Sequence, residues 1–293
     1  MPSVPLLSSL VIYRTARSYM PDLTLLLSPA DRKQPGGNPF APDMFDYRTS
    51  GTFNYFDDLN PDRRELIDTL QDVIAEEDQD ALADVFGLED HELEEAVRVN
   101  EEIYDAPLMS ALDRFSPGVM YAAMDFANLP TGAQRRLLEN GVILSGLFGL
   151  LRPDDLIPNY QLGMNASLPE VGPVADYWRP IISPILNDSL EDRWVWDLLP
   201  KVHRDAWTDE HTYKARVEVQ FERVEDEERV PITGEDLDVQ RGQFVNFIVQ
   251  ETAEEMEDLR EWSEEESDEL TFDEDASAYD EDTKTWTVVM VQE

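Results

Sequence analysis

A large excess of carboxylates limits what this chain can fold into. Asp and Glu number 64 among its 293 residues, against 23 Lys and Arg, which gives a net charge of −41. Self-repulsion of this size opposes compaction in dilute salt. The chain is nevertheless 42% hydrophobic and carries six Trp, ten Tyr and twelve Phe, too much apolar surface for a solvated tail. The sequence therefore predicts a globular protein with a strongly acidic surface.

Two explanations fit this acidity. Only four of the basic residues are lysine, and a lysine-poor, carboxylate-rich surface suits proteins that work in concentrated salt. At about 1 M salt the Debye length is only ~3 Å, so surface repulsion is screened. A basic partner is the alternative, but it favours one acidic tract, whereas the acid here is spread along the chain. Salt adaptation is therefore the favoured hypothesis.

Several classes of site are excluded by residues that the sequence lacks. With no cysteine, the chain has no disulfide scaffold, no thiolate zinc site and no cysteine nucleophile. The phosphate-binding patterns G-x-G-x-x-G and G-x-x-x-x-G-K-[ST] and the nucleophile elbow G-x-S-x-G do not occur. A Ser-His-Asp triad stays open, because its members need not be adjacent in sequence. No apolar run reaches the ~20 residues of a membrane span.

Two metal-like motifs fail at their diagnostic positions. The pair at 91–92 begins like H-E-x-x-H, but Glu95 stands in place of the second histidine. The acidic stretch 273–284 resembles a calcium loop, yet Ala278 stands where glycine is needed and Lys284 where the last carboxylate is needed. Two lone histidines are more typical of surface residues than of metal ligands: His203 and His211. The sequence therefore predicts no metal site and no cofactor.

Residues 1–19 contain no acidic residue, unlike the rest of the chain. Two arginines follow the short apolar run Leu6–Tyr13, whereas a secretory signal carries its positive charge before the apolar stretch. A misplaced start codon, with Met20 as the true first residue, is the favoured explanation. A weak targeting segment and an ordered extension are the alternatives. We therefore expect an N-terminal extension over 1–19, which a misplaced start codon would make non-native. One domain is expected over 20–293.

Short apolar runs alternate with helical patterns along the chain. The predicted strands are Thr24–Leu27, Val142–Leu144, Val195–Leu199, Arg216–Val224 and Thr285–Val291. The predicted helices are Pro61–Ala75, Ala81–Phe86, Glu89–Tyr104, Met109–Phe115, Gly132–Asn140, Val174–Leu186 and Phe244–Glu255. The segment Gly118–Tyr121 is interpreted as a further strand. This alternation indicates the α/β class, with α+β as the alternative, and a single domain around one mixed sheet.

The chain carries little acid over residues 115–185, which hold six acidic residues and four arginines. An interior or a working site explains this composition best. Within it, Ile143–Tyr160 runs from a buried strand through two glycines to Arg152. An arginine at such a junction can hold a phosphate or carboxylate bidentately, or pair with Asp154 or Asp155 to fix the turn. Both interpretations stay open.

The same segment resembles the YaaA-like peroxide stress protein family. That family shows L-S-G-L-[YF]-G-[LV]-L-R-P-x-D-x-[IM]-x-x-Y, which this chain matches from Leu144 to Tyr160. Further matches are Leu26–Ala30 (L-L-S-P-A), Arg114-Phe115, Gly118–Tyr121, Tyr177-Trp178, Arg241-Gly242 and Phe272–Asp275. The resemblance covers Leu23 to Val291 and begins just after Met20.

The resemblance implies a single α/β domain with a positively charged cleft and a helix-hairpin-helix-like element. It implies a cytoplasmic protein that protects against hydrogen peroxide by limiting unincorporated iron and hence oxidative DNA damage. It also implies DNA binding, and it carries no established enzymatic reaction.

Basic residues of the family pattern are altered at three places in this chain. The opening S-P-A-K ends here in Asp31, unless Lys33 replaces the lysine from the loop. The two lysines before R-G are lost in the stretch Asp236–Gln240, and the arginine that usually follows R-G is Asn246. The resemblance therefore supports the scaffold better than the DNA-contacting surface.

A peroxide-stress protein adapted to high salt is the leading hypothesis. An enzyme of unknown reaction, with a small-ligand pocket around Ser28, Tyr121, Ser145, Arg152 and Tyr160, is the alternative. An iron buffer is a third hypothesis, although dispersed carboxylates give weak sites. The expected partner is DNA, bound weakly and with single strands preferred over duplex, with no membrane and no stable protein partner. The candidate contact residues, none of them assigned a catalytic role, are Ser28, Lys33, Arg114, Tyr121, Arg135, Arg136, Ser145, Gly146, Gly149, Arg152, Asp155, Tyr160 and Arg241.

The charge balance makes a prediction about stability. We expect the melting temperature to rise steeply between about 0.1 and 2 M potassium chloride, because salt screens the repulsion among carboxylates. Thermal unfolding followed by circular dichroism measures this dependence. A melting temperature that stays flat across the range would rule out salt adaptation.

Overall fold

A mixed sheet of eight strands organises the chain in the computed structural model, which describes residues 23–39, 55–253, 256, 259–260 and 270–292. The strands are β1 (Leu23–Leu27), β2 (Met109–Ser110), β3 (Gly141–Ser145), β4 (Gly149–Leu151), β5 (Leu156–Ile157), β6 (Ser167–Leu168), β7 (Gly172–Pro173), β8 (Trp194–Asp197), β9 (Ala215–Glu225), β10 (Glu228–Pro231), β11 (Leu270–Asp280) and β12 (Thr285–Gln292). The helices are α1 (Asn60–Glu76), α2 (Gln79–Phe86), α3 (Asp90–Glu101), α4 (Ala111–Phe115), α5 (Val119–Met124), α6 (Thr131–Asn140), α7 (Val174–Ser189), α8 (Lys201–Arg204) and α9 (Gly234–Glu251).

Five parallel strands form the centre of this sheet, in the order β3-β1-β8-β9-β12. The strands β4 and β11 pair antiparallel with β3 and β12 at the two edges, and β10 pairs antiparallel with β9. Two small ladders, β2-β5 and β6-β7, lie outside the sheet. The predicted single α/β domain around a mixed sheet is confirmed.

Continuous apolar runs place β1 and β3 in the interior. Every residue of Leu23–Leu27 and of Gly141–Ser145 is buried. Strands that are covered on both faces read as unbroken hydrophobic segments rather than alternating ones, which is why both were predictable. The strands β9 and β12 are buried over only part of their length.

Amphipathic helices cover the sheet. The predicted helix at Pro61 is α1, whose proline lies in the first turn, where the missing N–H costs nothing. Its buried residues follow helical spacing: Leu66, Ile67, Leu70, Val73 and Ile74. The next helix, α2, begins at Asp78, whose carboxylate accepts from the Ala81 amide at 3.1 Å, and ends at Gly87 in the left-handed conformation.

Two segments depart from the sequence prediction. The predicted strand Gly118–Tyr121 is wrong: Gly118 precedes helix α5, and Met120, Tyr121 and Met124 are buried along one side of it. Helix α9 begins at Gly234, ten residues before the predicted Phe244. Its first turn carries two acids, which the positive end of the helix dipole favours, although apolar spacing alone did not indicate it.

The order of the parallel strands creates a specific edge. Numbered by their appearance along the chain, the five run 2-1-3-4-5, so the chain reverses direction across the sheet between β1 and β8. In open parallel sheets, ligands bind outside the carboxyl ends of the strands at this reversal. We call the region at the carboxyl ends of β1 (Leu27) and β8 (Asp197) the switch edge.

Two further expectations concern the N-terminal extension and the helix-hairpin-helix-like element. Residues 1–19 and Met20 lie outside the described residues. The helices α5 and α6, joined by a short 3-10 turn at Phe126–Asn128, are a candidate for the helix-hairpin-helix-like element, which stays a prediction. Among the residues described, no helix has both the length and the apolarity needed to cross a bilayer.

Candidate functional site

A buried hydrogen-bonded cluster follows the carboxyl ends of β1 and β3. The hydroxyls of Ser145 and Tyr160 lie 2.8 Å apart, and Ser145 also accepts from the Phe148 amide at 3.1 Å. Tyr121 donates to the Ser28 carbonyl at 2.8 Å. Burial raises the pKa of both tyrosines, so each keeps its proton. Four residues of the hypothetical small-ligand pocket are therefore gathered, but as a closed interior.

Lys33 reaches this cluster from the loop after β1. Its Nζ donates to Gln161 Oε1 at 2.8 Å and lies 4.6 Å from the centre of the Tyr160 ring. Burial is the main cause that lowers the pKa of Lys33 to about 8. The lysine thus takes up a position beside the β1 loop, as the sequence suggested, while Asp31 is exposed.

Arg114 fastens the glycine-containing loop at residues 34–38. Its guanidinium donates to the carbonyls of Gly36 at 3.0 Å and Pro107 at 3.1 Å, and also to the carbonyl of Gln34. Burial lowers the pKa of Arg114 to about 10. All three oxygens belong to the backbone, so this arginine holds the loop rather than a ligand.

Arg152 caps a helix. Its Nε donates to the carbonyl of Leu138 at 3.0 Å, in the last turn of α6, and its guanidinium lies 4.1 Å from the centre of the Tyr55 ring. A cation at a helix C-terminus is favoured by the dipole. Asp155 is nearby, but it accepts from the backbone amides of Arg152 at 2.7 Å and Tyr55 at 3.0 Å. Burial raises the pKa of Asp155. Arg152 therefore has a structural role, with partners that the sequence did not identify.

Two further basic candidates, both on α6, also have structural contacts. Arg135 pairs with Glu139 at 2.6 Å on the exposed face of α6. Arg136 donates to the carbonyls of Val249 at 2.5 Å and Gln250 at 2.7 Å, at the end of α9.

Both glycines lie where a side chain would clash: a Cβ on Gly146 would meet the backbone of Leu162 at 2.5 Å and of Gly163 at 2.7 Å. The Trp178 indole donates to the Gly146 carbonyl at 2.7 Å. A side chain on Gly149, whose φ is +65°, would meet the Trp178 ring at 2.9 Å. Glycine is thus the residue that fits at both positions.

A buried charge network lies at the end of β8, and the sequence did not predict it. Asp197 is buried, and its Oδ2 lies 2.5 Å from Arg216 Nη2 and 3.0 Å from Arg204 Nε. Glu218 bridges the same two arginines at 2.8 and 2.9 Å. Burial lowers the pKa of Arg216, but Asp197, Glu218 and Asp209 together raise it above its ordinary value. An acid directly after the buried run W-V-W was the available signal, obscured among 64 acids.

Arg241 and His203 lie beside this network. Arg241 Nη1 is 3.4 Å from Asp238 Oδ1, one turn earlier on α9. His203, on α8, has a buried Nδ1 without a hydrogen-bond partner in the described part of the chain. Burial and the neighbouring Arg241 lower the pKa of His203 to about 4, so its ring is neutral at ordinary pH. The expectation that His203 is a surface residue is therefore wrong for its Nδ1.

No three His, Asp or Glu side chains within the described ranges converge in a way that could hold a metal ion. Those ranges give the iron-buffer hypothesis no geometric site.

The fold and these contacts define a class of protein: an acidic α/β domain in which several arginines hold the backbone and a buried carboxylate–arginine network lies at the end of β8. The model of the family described as peroxide stress protein YaaA matches residues 23–276. The chain belongs to that family, which confirms the resemblance found in its sequence.

Relatives among curated proteins are distant and little characterised. A UPF0246 protein of Streptomyces coelicolor is 32% identical over 139 residues, 47% of this chain and 53% of its own length. An uncharacterised protein of Campylobacter jejuni is 25% identical over 197 residues, 66% of this chain and 75% of its own. A UPF0246 protein of Neisseria meningitidis is 36% identical over 102 residues, 34% of this chain and 39% of its own. The chain thus spans about half the length of the Streptomyces relative.

Two of the altered family positions are now located. Asn246 donates to the Met124 carbonyl at 2.8 Å and so joins α9 to α5. Asp236 is exposed and pairs with Arg223 at 3.0 Å. Neither contributes positive charge, so the loss of basic residues inferred from the sequence is uncompensated at these two places.

The contacts of Arg152 predict a stability effect. Arg152→Ala removes charge-assisted hydrogen bonds to the end of α6, and we expect it to lower the free energy of unfolding by about 2–3 kcal/mol. Arg135→Ala, on the same helix but in an exposed ion pair, should leave it nearly unchanged. Urea unfolding at constant 2 M potassium chloride, the upper end of the screening range, compares the two. Equal effects would show that Arg152 does not cap α6.

Proposed function

We propose that this chain protects cytoplasmic components against hydrogen peroxide by limiting free iron and hence oxidative DNA damage. The observation that carries the proposal is the family match over residues 23–276. It includes the whole of Ile143–Tyr160, which forms β3, β4 and the buried contacts of Ser145 and Tyr160. The peroxide role comes from the family description, and the iron and DNA steps are the part that we propose.

A deletion strain tests this proposal. Cells without the gene should lose viability in millimolar peroxide, and a cell-permeant iron chelator should restore most of it, because iron drives the damage. Re-expression of the chain should restore survival without chelator, and so should the Arg135→Ala variant, whose exposed ion pair contributes little to stability. Survival of the deletion strain equal to that of the parent would contradict a protective role, and loss that the chelator does not relieve would contradict the iron step.

We further propose that any nucleic-acid binding by this chain is weak. Phosphate contacts from Lys and Arg supply most non-specific affinity, but the guanidiniums of Arg114, Arg136 and Arg152 donate to backbone carbonyls. Arg135 is paired with Glu139. At low salt a net charge of −41 adds long-range repulsion, and at high salt counterion release is lost.

The expected preference for single strands stays a prediction, and base stacking on the two candidate rings does not support it. Bases stack on exposed aromatic rings. The two candidate rings, Tyr121 and Tyr160, are 5% and 1% exposed. Stacking on them therefore does not explain such a preference.

Fluorescence anisotropy with labelled oligonucleotides measures this affinity. Between about 0.2 and 2 M salt we expect duplex DNA to bind with a Kd weaker than about 10 μM, the middle of the range for non-specific binders. Single strands, titrated in parallel, should bind somewhat better. Sub-micromolar duplex binding anywhere in this range would show that a basic surface exists which the described residues do not reveal.

A further inference from the structure

Two polar side chains with unused hydrogen-bonding capacity, His203 and Arg241, lie on helices next to the switch edge. His203 lies in α8, the helix that follows β8 after three residues, and Arg241 lies in α9. The charge of Arg241 acts on His203, and Arg241 in turn feels Asp197 and Arg204, which pair with each other at 3.0 Å. His203 and Arg241 therefore lie beside the strand end where this strand order places ligands.

Arg241 has hydrogen-bond donors left over for a ligand. A guanidinium carries five N–H donors, and its charge-assisted bonds are normally about 2.7–2.9 Å long. The Arg241 side chain is 15% exposed, and its one polar contact within the described residues is the 3.4 Å approach to Asp238. Burial lowers the pKa of Arg241, the direction expected of a cation without a close anion.

His203 adds a second incomplete group. Its Nδ1 is buried and lacks a hydrogen-bond partner in the same part of the chain. A neutral imidazole donates from one nitrogen and accepts at the other, so a ligand oxygen or hydroxyl would satisfy it. Leaving such a group unpaired is unfavourable, which makes a bound partner favourable.

We propose that Arg241 and His203 bind the oxyanion of a small hydroxylated molecule, a phosphate or a carboxylate, at the switch edge. Arg241 exchanges its long contact with Asp238 for a bidentate contact with the anion. Asp238, 45% exposed on its side chain, and Asp31, which acts on its pKa, then accept hydrogen bonds from the hydroxyls. This function is independent of the peroxide and DNA proposals.

The same neighbours exclude a polyanion. Asp238 and Asp197 place negative charge near the arginine, and Asp31 lies near Asp238, which opposes a row of phosphates. One oxyanion needs only short-range bonds, and these survive the salt that screens the surrounding carboxylates. The site therefore favours a small molecule over a nucleic-acid backbone.

Histidine NMR tests the proposal, because the chain has three histidines. Ribose 5-phosphate and gluconate are titrated separately to about 10 mM, which detects Kd values into the millimolar range, with ribose as the uncharged control. We expect saturable shifts of the His203 ring signals with at least one oxyanion, and none with ribose. His91, exposed on α3, should not move. The tighter oxyanion identifies phosphate or carboxylate as the preferred group.

Variants separate binding from general ion effects. Arg241→Gln should weaken binding at least tenfold, whereas Arg135→Gln, which changes an exposed arginine by the same chemistry, should not. Asp238→Asn removes the competing carboxylate and should tighten binding several-fold, so the proposal stays testable if Arg241→Gln fails to fold. Absence of saturable His203 shifts with both oxyanions would overturn it. So would equal affinity in Arg241→Gln and Arg135→Gln, or unchanged affinity in Asp238→Asn.

Discussion

The arrangement of the switch edge depends on one buried carboxylate. Asp197 ends β8, accepts from the Leu199 amide at 2.9 Å, and contacts Arg216 on β9 and Arg204 on α8. It therefore joins two neighbouring strands to the helix that carries His203. Removing one partner of a buried ion pair leaves an uncompensated charge and is strongly destabilising. The geometry around His203 and Arg241 follows from this contact.

A group of arginines in this chain binds backbone oxygens rather than carboxylates. Arg63 illustrates the pattern: it is buried, and it donates to the carbonyls of Phe148 at 2.9 Å and Leu150 at 2.6 Å. Arg114, Arg136 and Arg152 bind backbone oxygens in the same way. An acidic surface thus coexists with an interior whose chain turns are held by guanidinium groups. The usual link between arginine content and nucleic-acid binding does not apply to residues used in this way.

The sequence predicted the parts of the fold that apolar pattern controls. The runs that became β1 and β3 are buried on both faces, and helix α1 shows its spacing clearly. The sequence prediction was wrong at Gly118–Tyr121, because a run of four residues cannot distinguish a buried strand from a buried turn of helix. It also missed the start of α9, where Glu235 and Asp236 provide dipole stabilisation rather than apolar spacing.

The site was less predictable than the fold, for a physical reason. Whether Arg152 meets a ligand or the Leu138 carbonyl depends on how α6 packs, which no local pattern reports. The contacts of Asp197 reach a residue 19 positions away, Arg216. Arg241 was identified from the family pattern, but its neighbour His203 was not, because a lone histidine carries no signal until the fold buries it.

Replacement of Asp197 by asparagine tests most directly whether this carboxylate organises the edge. At constant high salt, Asp197→Asn should lower the free energy of unfolding in urea by about 3–5 kcal/mol, since two buried arginine contacts lose their counter-charge. The matched variant Asp236→Asn, in an exposed pair with Arg223 at 3.0 Å, should leave it nearly unchanged. Equal stabilities of the two variants would contradict the account.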